Sequence, residues 1–190
     1  MKTERIGPET TPRLEREAAA WQRHGRRPAA IETPGPGRES VWDYPRPPAL
    51  ERVHAEVLVE HGGAVVARTR AALRVCETAS PPTYYLPLAD VRRELLRDAG
   101  GGSVCEWKGA AHYFDVCVGD RIARQAAWSY PKPTPEYAAL ADHVAFYASR
   151  LDRCAIDGEP VRPQPGGFYA GWITPELCGP FKGEPGSSGW

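Results

Sequence analysis

The sequence predicts a mainly β domain of the α+β class, and three observations carry that expectation. The 20 prolines and 19 glycines are too many for a helical bundle and suit short strands joined by turns. Several runs alternate apolar and polar residues with period two, the pattern of a strand with one buried face. Turn pairs such as Gly62-Gly63, Gly119-Asp120 and Asp157-Gly158 separate those runs. About six to nine short antiparallel strands follow, with one or two helices covering an end.

Residues 1–40 read as an N-terminal arm. A short helix over 12–23 would place Leu14, Ala18 and Trp21 on one stripe. The segment after it, HGRRPAAIETPGPGRES, reads as a linker or an arm laid along the surface. The domain proper spans 41–162. Pro45, Pro47 and Pro48 force extended chain. Residues 53–59 (VHAEVLV) alternate as one half-buried strand, 64–68 return after the turn, and 71–76 form a third strand. Leu73 and Val75 point inward there, and Glu77 falls on the same side.

Tyr84 and Tyr85 split between the two sides of a strand. Residues 88–98 predict a helix with Val91, Leu95 and Leu96 as its apolar stripe, ended by Gly100–Gly102. Residues 104–118 and 122–130 predict a strand pair. Phe114, Val116 and Val118 share one face of the first, and Ala111, Tyr113 and Asp115 the other. Ile122, Arg124, Ala126, Trp128 and Tyr130 share a face of the second. Thr134 and Pro135 start a short helix that runs to about residue 142. Residues 144–151 fit helix or strand, and Asp157-Gly158 turns between two short strands. Residues 163–190 are aromatic as well as Gly/Pro-rich, with Phe168, Tyr169, Trp172, Phe181 and Trp190. A disordered tail avoids such residues, so this extension is expected to pack on the domain.

The 24 basic and 24 acidic residues cancel. Neither nucleic acid nor an anionic membrane surface is implied as a partner. No run approaches the ~18 apolar residues of a membrane span. The opening stretch MKTERIGPETTPRLE has no apolar signal core. The expected location is cytoplasmic. Five cysteines, with no CxxC among them, read as reduced thiols acting as small core hydrophobes. No spacing suggests a metal, and no cofactor motif occurs: there is no GxGxxG after a strand, no P-loop, no GxSxG and no HExxH. No cofactor is therefore expected.

Candidate chemistry gathers at strand ends. Glu77 reads either as a carboxylate capping a turn with Thr78 and Ser80 or as a general acid/base. Asp90 reads as a partner for the first turn of the 88–98 helix. Lys108, between Trp107 and Gly109, reads as a lysine snorkelling over an indole, as an anchor for a carboxylate or phosphate, or as a base with a depressed pKa. Trp128 and Tyr130 suit core packing or stacking on a planar ligand. His112 reads as structural.

At these residues the chain resembles a known family. The stretches GGAVVARTRAALRVCETASPPTYYLPLADV, CEWKGAAHYFDV, AWSYPKP and HVAFY occur in order. The run from Trp42 to about Tyr147 is similar to the bacterial family of domain-of-unknown-function 427, and the C-terminal GGFYAGWITPELCGPFKG resembles an extension carried by members, about three quarters of the chain in all. The resemblance implies a β-tent fold, in which two antiparallel sheets meet at an angle around a cleft. Relatives of that fold hold zinc with two CxxC pairs. This sequence lacks them, so no metal is expected. A nucleotidyltransferase label attached to the family finds no supporting residues here. By position, the family motif includes Glu77, Tyr84, Tyr85, Trp107, Lys108, Gly109, Tyr113, Trp128 and Tyr130.

Three readings of function remain. The first is a small-molecule site between the sheets. Tyr84, Trp107, Tyr113, Trp128 and Tyr130 would line it, and Glu77 and Lys108 would be its polar and potentially catalytic groups, working without metal. The second is a protein-interaction or homo-oligomerisation module built on the aromatic chain ends. The third is nucleotidyl transfer.

Overall fold

A computed structural model of the chain describes residues 1–24 and 27–190. The linker expected after the helix includes Gly25 and Arg26, which lie outside the described residues. The chain is mainly β, with no closed barrel. β1 (Thr3–Gly7) precedes helix α1 (Pro12–His24), then come β2 (Glu39–Ser40) and β3 (Ala49–Val53). β4 (Val57–His61), β5 (Ala64–Thr69), β6 (Leu73–Cys76) and β7 (Thr83–Pro87) follow. The long strands β8 (Leu96–Cys105), β9 (Gly109–Val118) and β10 (Arg121–Ser129) lead to β11 (His143–Phe146) and β12 (Arg153–Ile156). Short pairs complete the chain: β13 (Glu159–Pro160), β14 (Arg162–Pro163), β15 (Trp172–Ile173) and β16 (Leu177–Cys178).

One sheet has eight strands in the order β1-β3-β6-β7-β11-β10-β9-β8, and another has four in the order β13-β12-β4-β5. All pairings within both are antiparallel. Between these sheets lies an aliphatic core. Val57, Val59 and Val66 from the smaller sheet meet Leu86, Val116, Val144 and Phe146 from the larger. The opposite face of the large sheet carries a second, aromatic core with Tyr85, Trp107, Trp128, Tyr130, Tyr137 and Tyr147. A third cluster joins Val41 and Trp42 to Ile173, Leu177 and Phe181.

The arm contributes to this architecture. β1 pairs with β3 at the edge of the large sheet, and Leu14 of α1 is fully buried in the aromatic core. In the C-terminal extension, Trp172 is fully buried in the inter-sheet core and its indole N–H donates to the Phe146 carbonyl at 3.0 Å.

Several expectations fail for local reasons. Residues 53–59 are not one strand. Val53 ends β3 in the large sheet and Val57 begins β4 in the small one. The helix expected over 88–98 is instead two 3-10 turns, Leu88–Asp90 and Arg93–Leu95, followed by β8. Neither turn has a side-chain cap. Val91 bridges to Ala67, and Leu96 pairs with Val116. Tertiary pairing therefore outweighs a short apolar stripe. Gly100 and Gly101, expected as a helix end, adopt positive φ within an irregular stretch of β8.

Residues 104 and 105 belong to β8, so Trp107 and Lys108 lie in the β8–β9 turn instead of a strand. In β10 the ladder shifts between Ala123 and Ala127, and Gln125 has φ +46°. That bulge turns Ala126 to the aliphatic core and Trp128 to the aromatic one, so they do not share a face. The helix expected after Thr134 is a 3-10 segment, Pro135–Leu140.

Candidate functional site

Alternation along β7 sets the site. Tyr84 turns into the inter-sheet core, its ring 5.3 Å from that of Trp172. Tyr85 turns to the other face, where it meets Trp128 edge-on at 6.1 Å. On this second face lies a cavity of about 380 Å3. Glu77, Trp107, Lys108, Tyr113, Trp128 and Tyr130 all line it, and Tyr84 does not. The cavity is thus not between the two sheets, where the expectation put it. That space is filled by apolar side chains, mostly aliphatic, with Tyr84, Phe146 and Trp172 among them. The cavity lies on the aromatic face, closed over by Gln164, Phe168, Tyr169, Ala170 and Lys182 of the C-terminal extension. Gln164 is buried and braces this cover, donating to the Lys182 carbonyl at 2.8 Å and accepting from the Gly171 N–H at 2.9 Å.

Lys108 is held by its backbone. The Glu106–Lys108 turn receives bonds from both sides. Thr134 donates its N–H to the Lys108 carbonyl at 3.1 Å and its hydroxyl to the Trp107 carbonyl at 2.6 Å. Arg13 of α1 donates to the Glu106 and Trp107 carbonyls at 2.8 and 3.2 Å. Arg13 is itself fixed by Glu136 at 2.9 Å, and that ion pair holds the Glu136 carboxyl down at about 2. Thr134, expected to cap a helix with its side chain, spends its hydroxyl on this turn instead. Gly109 closes the turn at φ +101°, and a Cβ there would approach the Lys132 carbonyl at 3.4 Å. A glycine is needed at this position for its backbone.

The Lys108 side chain is 8 % exposed and lies 5.9 Å from the centre of the Tyr130 ring, so the cation–π contact is with Tyr130. Among the described residues no carboxylate forms a salt bridge with it. Burial pushes the ammonium down, but Cys105, Tyr130 and Glu77 around it more than offset that and leave it above the ordinary lysine value. The expectation of a depressed pKa is therefore corrected: Lys108 is a cation at neutral pH, suited to meeting an anion and not to acting as a base.

Glu77 is half-buried and already engaged. Its Oε1 accepts from Arg46 Nε at 3.0 Å, and Arg46 also donates to the Thr78 carbonyl at 3.1 Å. The Arg46 guanidinium stacks on Trp21 of α1 at 3.5 Å, and burial pushes its pKa down. Thr78 bonds the Tyr44 carbonyl, not Glu77. Tyr113 shares a 2.8 Å hydrogen bond with Ser103 across the β8–β9 ladder. Burial raises the phenols of Tyr85 and Tyr130, and Tyr147 to about 12, so these walls are neutral. The Trp107 indole N–H is buried without an acceptor. Asp90 accepts from the Thr69 hydroxyl at 2.5 Å, and His112 lies 3.3 Å from Asp98. Neither lines the cavity.

Among the described residues no group of three His, Cys, Asp or Glu side chains could hold a metal ion. Among the described residues no helix is long and apolar enough to cross a membrane. The family model described as Domain of unknown function (DUF427) matches residues 49–157. The chain belongs to the DUF427 family. No curated protein matches it. The DUF427 segment supplies Glu77, Tyr85, Trp128, Tyr130 and the whole Glu106–Lys108 turn. The residues that clamp or cover the site from outside that segment are Arg13, Arg46 and the 164–182 stretch. Sequence reading missed Arg46, Tyr147, Lys182 and the role of Cys105. Tyr147, in the HVAFY stretch, and Cys105, which opens CEWKGAAHYFDV, carried a signal.

Proposed function

We propose that this DUF427 protein binds a small planar molecule carrying a carboxylate or phosphate in the aromatic cavity. One observation carries the reading: a buried ammonium with no ion pair among the described residues, Lys108, set in a wall of neutral aromatic side chains. Burying an unpaired charge costs free energy unless a partner supplies the opposite charge. An anionic ligand is that partner. The cavity volume of about 380 Å3 lies at the low end of the roughly 300–1,000 Å3 of small-molecule sites, so one or two rings fit better than a dinucleotide. Trp128 and Tyr130 supply stacking surface, Trp107 and Tyr113 complete the walls, and Glu77 offers its second oxygen as an acceptor. If the bound molecule reacts, Glu77 is the acid/base and Lys108 stabilises developing negative charge, with no metal required. In the C-terminal extension Trp172 and Phe181 are buried within the chain itself, while Phe168 is exposed, which supports this reading over an interaction module built on the chain ends.

Calorimetric titration with one- and two-ring aromatic carboxylates and phosphates, each beside its uncharged amide or alcohol, tests the reading. At least one anion should bind, about tenfold or more tighter than its neutral analogue, and Lys108→Met should abolish the difference while retaining cooperative unfolding. Equal binding of charged and neutral probes, or unchanged affinity in Lys108→Met, would sink it.

A further inference from the structure

The five cysteines are all free, and their surroundings differ sharply. Cys76, Cys154 and Cys178 are buried, and burial pushes each thiol up, Cys154 to about 12. Such thiols are shielded and unreactive. Cys117 is half-buried, accepts from Arg97 Nη2 at 2.9 Å, and does not line the cavity. Cys105 combines features that the others lack. It is half-buried and packs against the aromatic core. It lines the cavity as the last residue of β8, the outermost strand of the eight-stranded sheet. Its neighbour Val104 is 81 % exposed, so the chain at this rim is open to solvent. It lines the same cavity as the buried ammonium of Lys108. Reactive cysteines sit in partly accessible, electropositive settings.

We propose that Cys105 is the chain's site of covalent modification, taking up a small anionic thiol from a low-molecular-weight disulfide. The Cys105 sulfur, as thiolate, attacks one sulfur of the reagent. The S–S bond of the reagent breaks as the new S–S bond forms. The departing sulfur leaves with the electron pair and takes up the proton that Cys105 released. Cys105 is oxidised by the exchange and the departing thiol is the reduced product. Lys108 attracts a carboxylate-bearing disulfide and offsets the negative charge spread over the sulfurs. The attached group then occupies the cavity, so a modified chain has no room for a reversible ligand, and a thiol reductant restores the empty cavity. This inference needs the cavity and its charge but not the identity of the molecule that the cavity binds.

The test uses the full chain, oxidised glutathione as the anionic disulfide and cystamine as a cationic one, with site-resolved mass spectrometry over time. Cys105 should be modified by oxidised glutathione about tenfold or more faster than any other cysteine, and faster than by cystamine. Cys105→Ser should remove the fast phase. Lys108→Met should erase the preference for the anionic reagent at Cys105 and leave the Cys117 rate unchanged. The reagent ratio in the unaltered chain stands without any variant. Modification of Cys117 ahead of Cys105, or equal rates with the two reagents, overturns the proposal. Reversible binding of aromatic anions is read separately by calorimetry, so either idea can fail alone.

Discussion

The two faces of the eight-stranded sheet are built from the same strands and have opposite characters. One is aliphatic and sealed by a second sheet, with Leu86, Val116 and Phe146 fully buried. The other is aromatic, carries hydroxyl, indole and ammonium groups, and is covered by a helix and an irregular extension. Regular strands mate closely and leave little space. Loops and large rings mate less completely, and a cavity remains. The side that holds the fold is therefore distinct from the side that offers chemistry, and adjacent residues such as Tyr84 and Tyr85 serve different ends.

The sharpest way to break this division is on the aliphatic face. Phe146→Ala should destabilise the chain by about 3–5 kcal/mol in urea unfolding, the usual range for a buried phenylalanine. A loss under about 1 kcal/mol would mean that the sheets do not share one core. The next effect belongs to the clamp on the aromatic face. Glu136→Gln should cost about 1–3 kcal/mol at neutral pH by weakening the hold on Arg13. The sign with pH follows from the depressed carboxyl. Its contribution is fully present above the ordinary glutamate value of 4.5 and disappears as pH falls through about 2. Acid titrations of the two proteins should therefore converge near pH 2. A constant gap across that window would contradict the ion pair. The smallest effect is expected at Lys108. Without ligand, Lys108→Met should unfold within about 1 kcal/mol of the parent or be more stable, because it removes an unpaired buried charge. A loss of several kcal/mol would make Lys108 a structural residue.

Much of this was legible in the sequence. Period-two runs identified Leu73 and Val75 as inward, and the alternation in β9 correctly separated Phe114 and Val116 from Ala111 and Tyr113. Of the seven singled-out residues, the six that meet at the cavity share the aromatic face. Tyr84 missed because one position along a strand is enough to change face. The rest was hidden by events that leave little local trace. The bulge at Gln125 puts two extra residues into β10 against β9 and turns Ala126 out of the expected alternation, and the Gln125 N–H is held by Asp115 at 2.8 Å on the neighbouring strand. The 88–98 stripe looks helical in isolation and is recruited into a ladder. Arg46 sits in a proline-rich run that gives no hint of its contact with Glu77, and the cavity cover lies far along the chain.

The clamp on the Glu106–Lys108 turn has a practical bearing on where this protein can be cut. The segment that defines its family, residues 49–157, keeps the turn but loses Arg13, which grips the turn from one side. It also loses Arg46, which steadies Glu77, and Trp172, which fills the space between the sheets. A fragment trimmed to that segment would keep the family signature while losing part of what shapes the pocket. Silence from such a fragment in a binding screen would report on the missing ends and not on the pocket's chemistry.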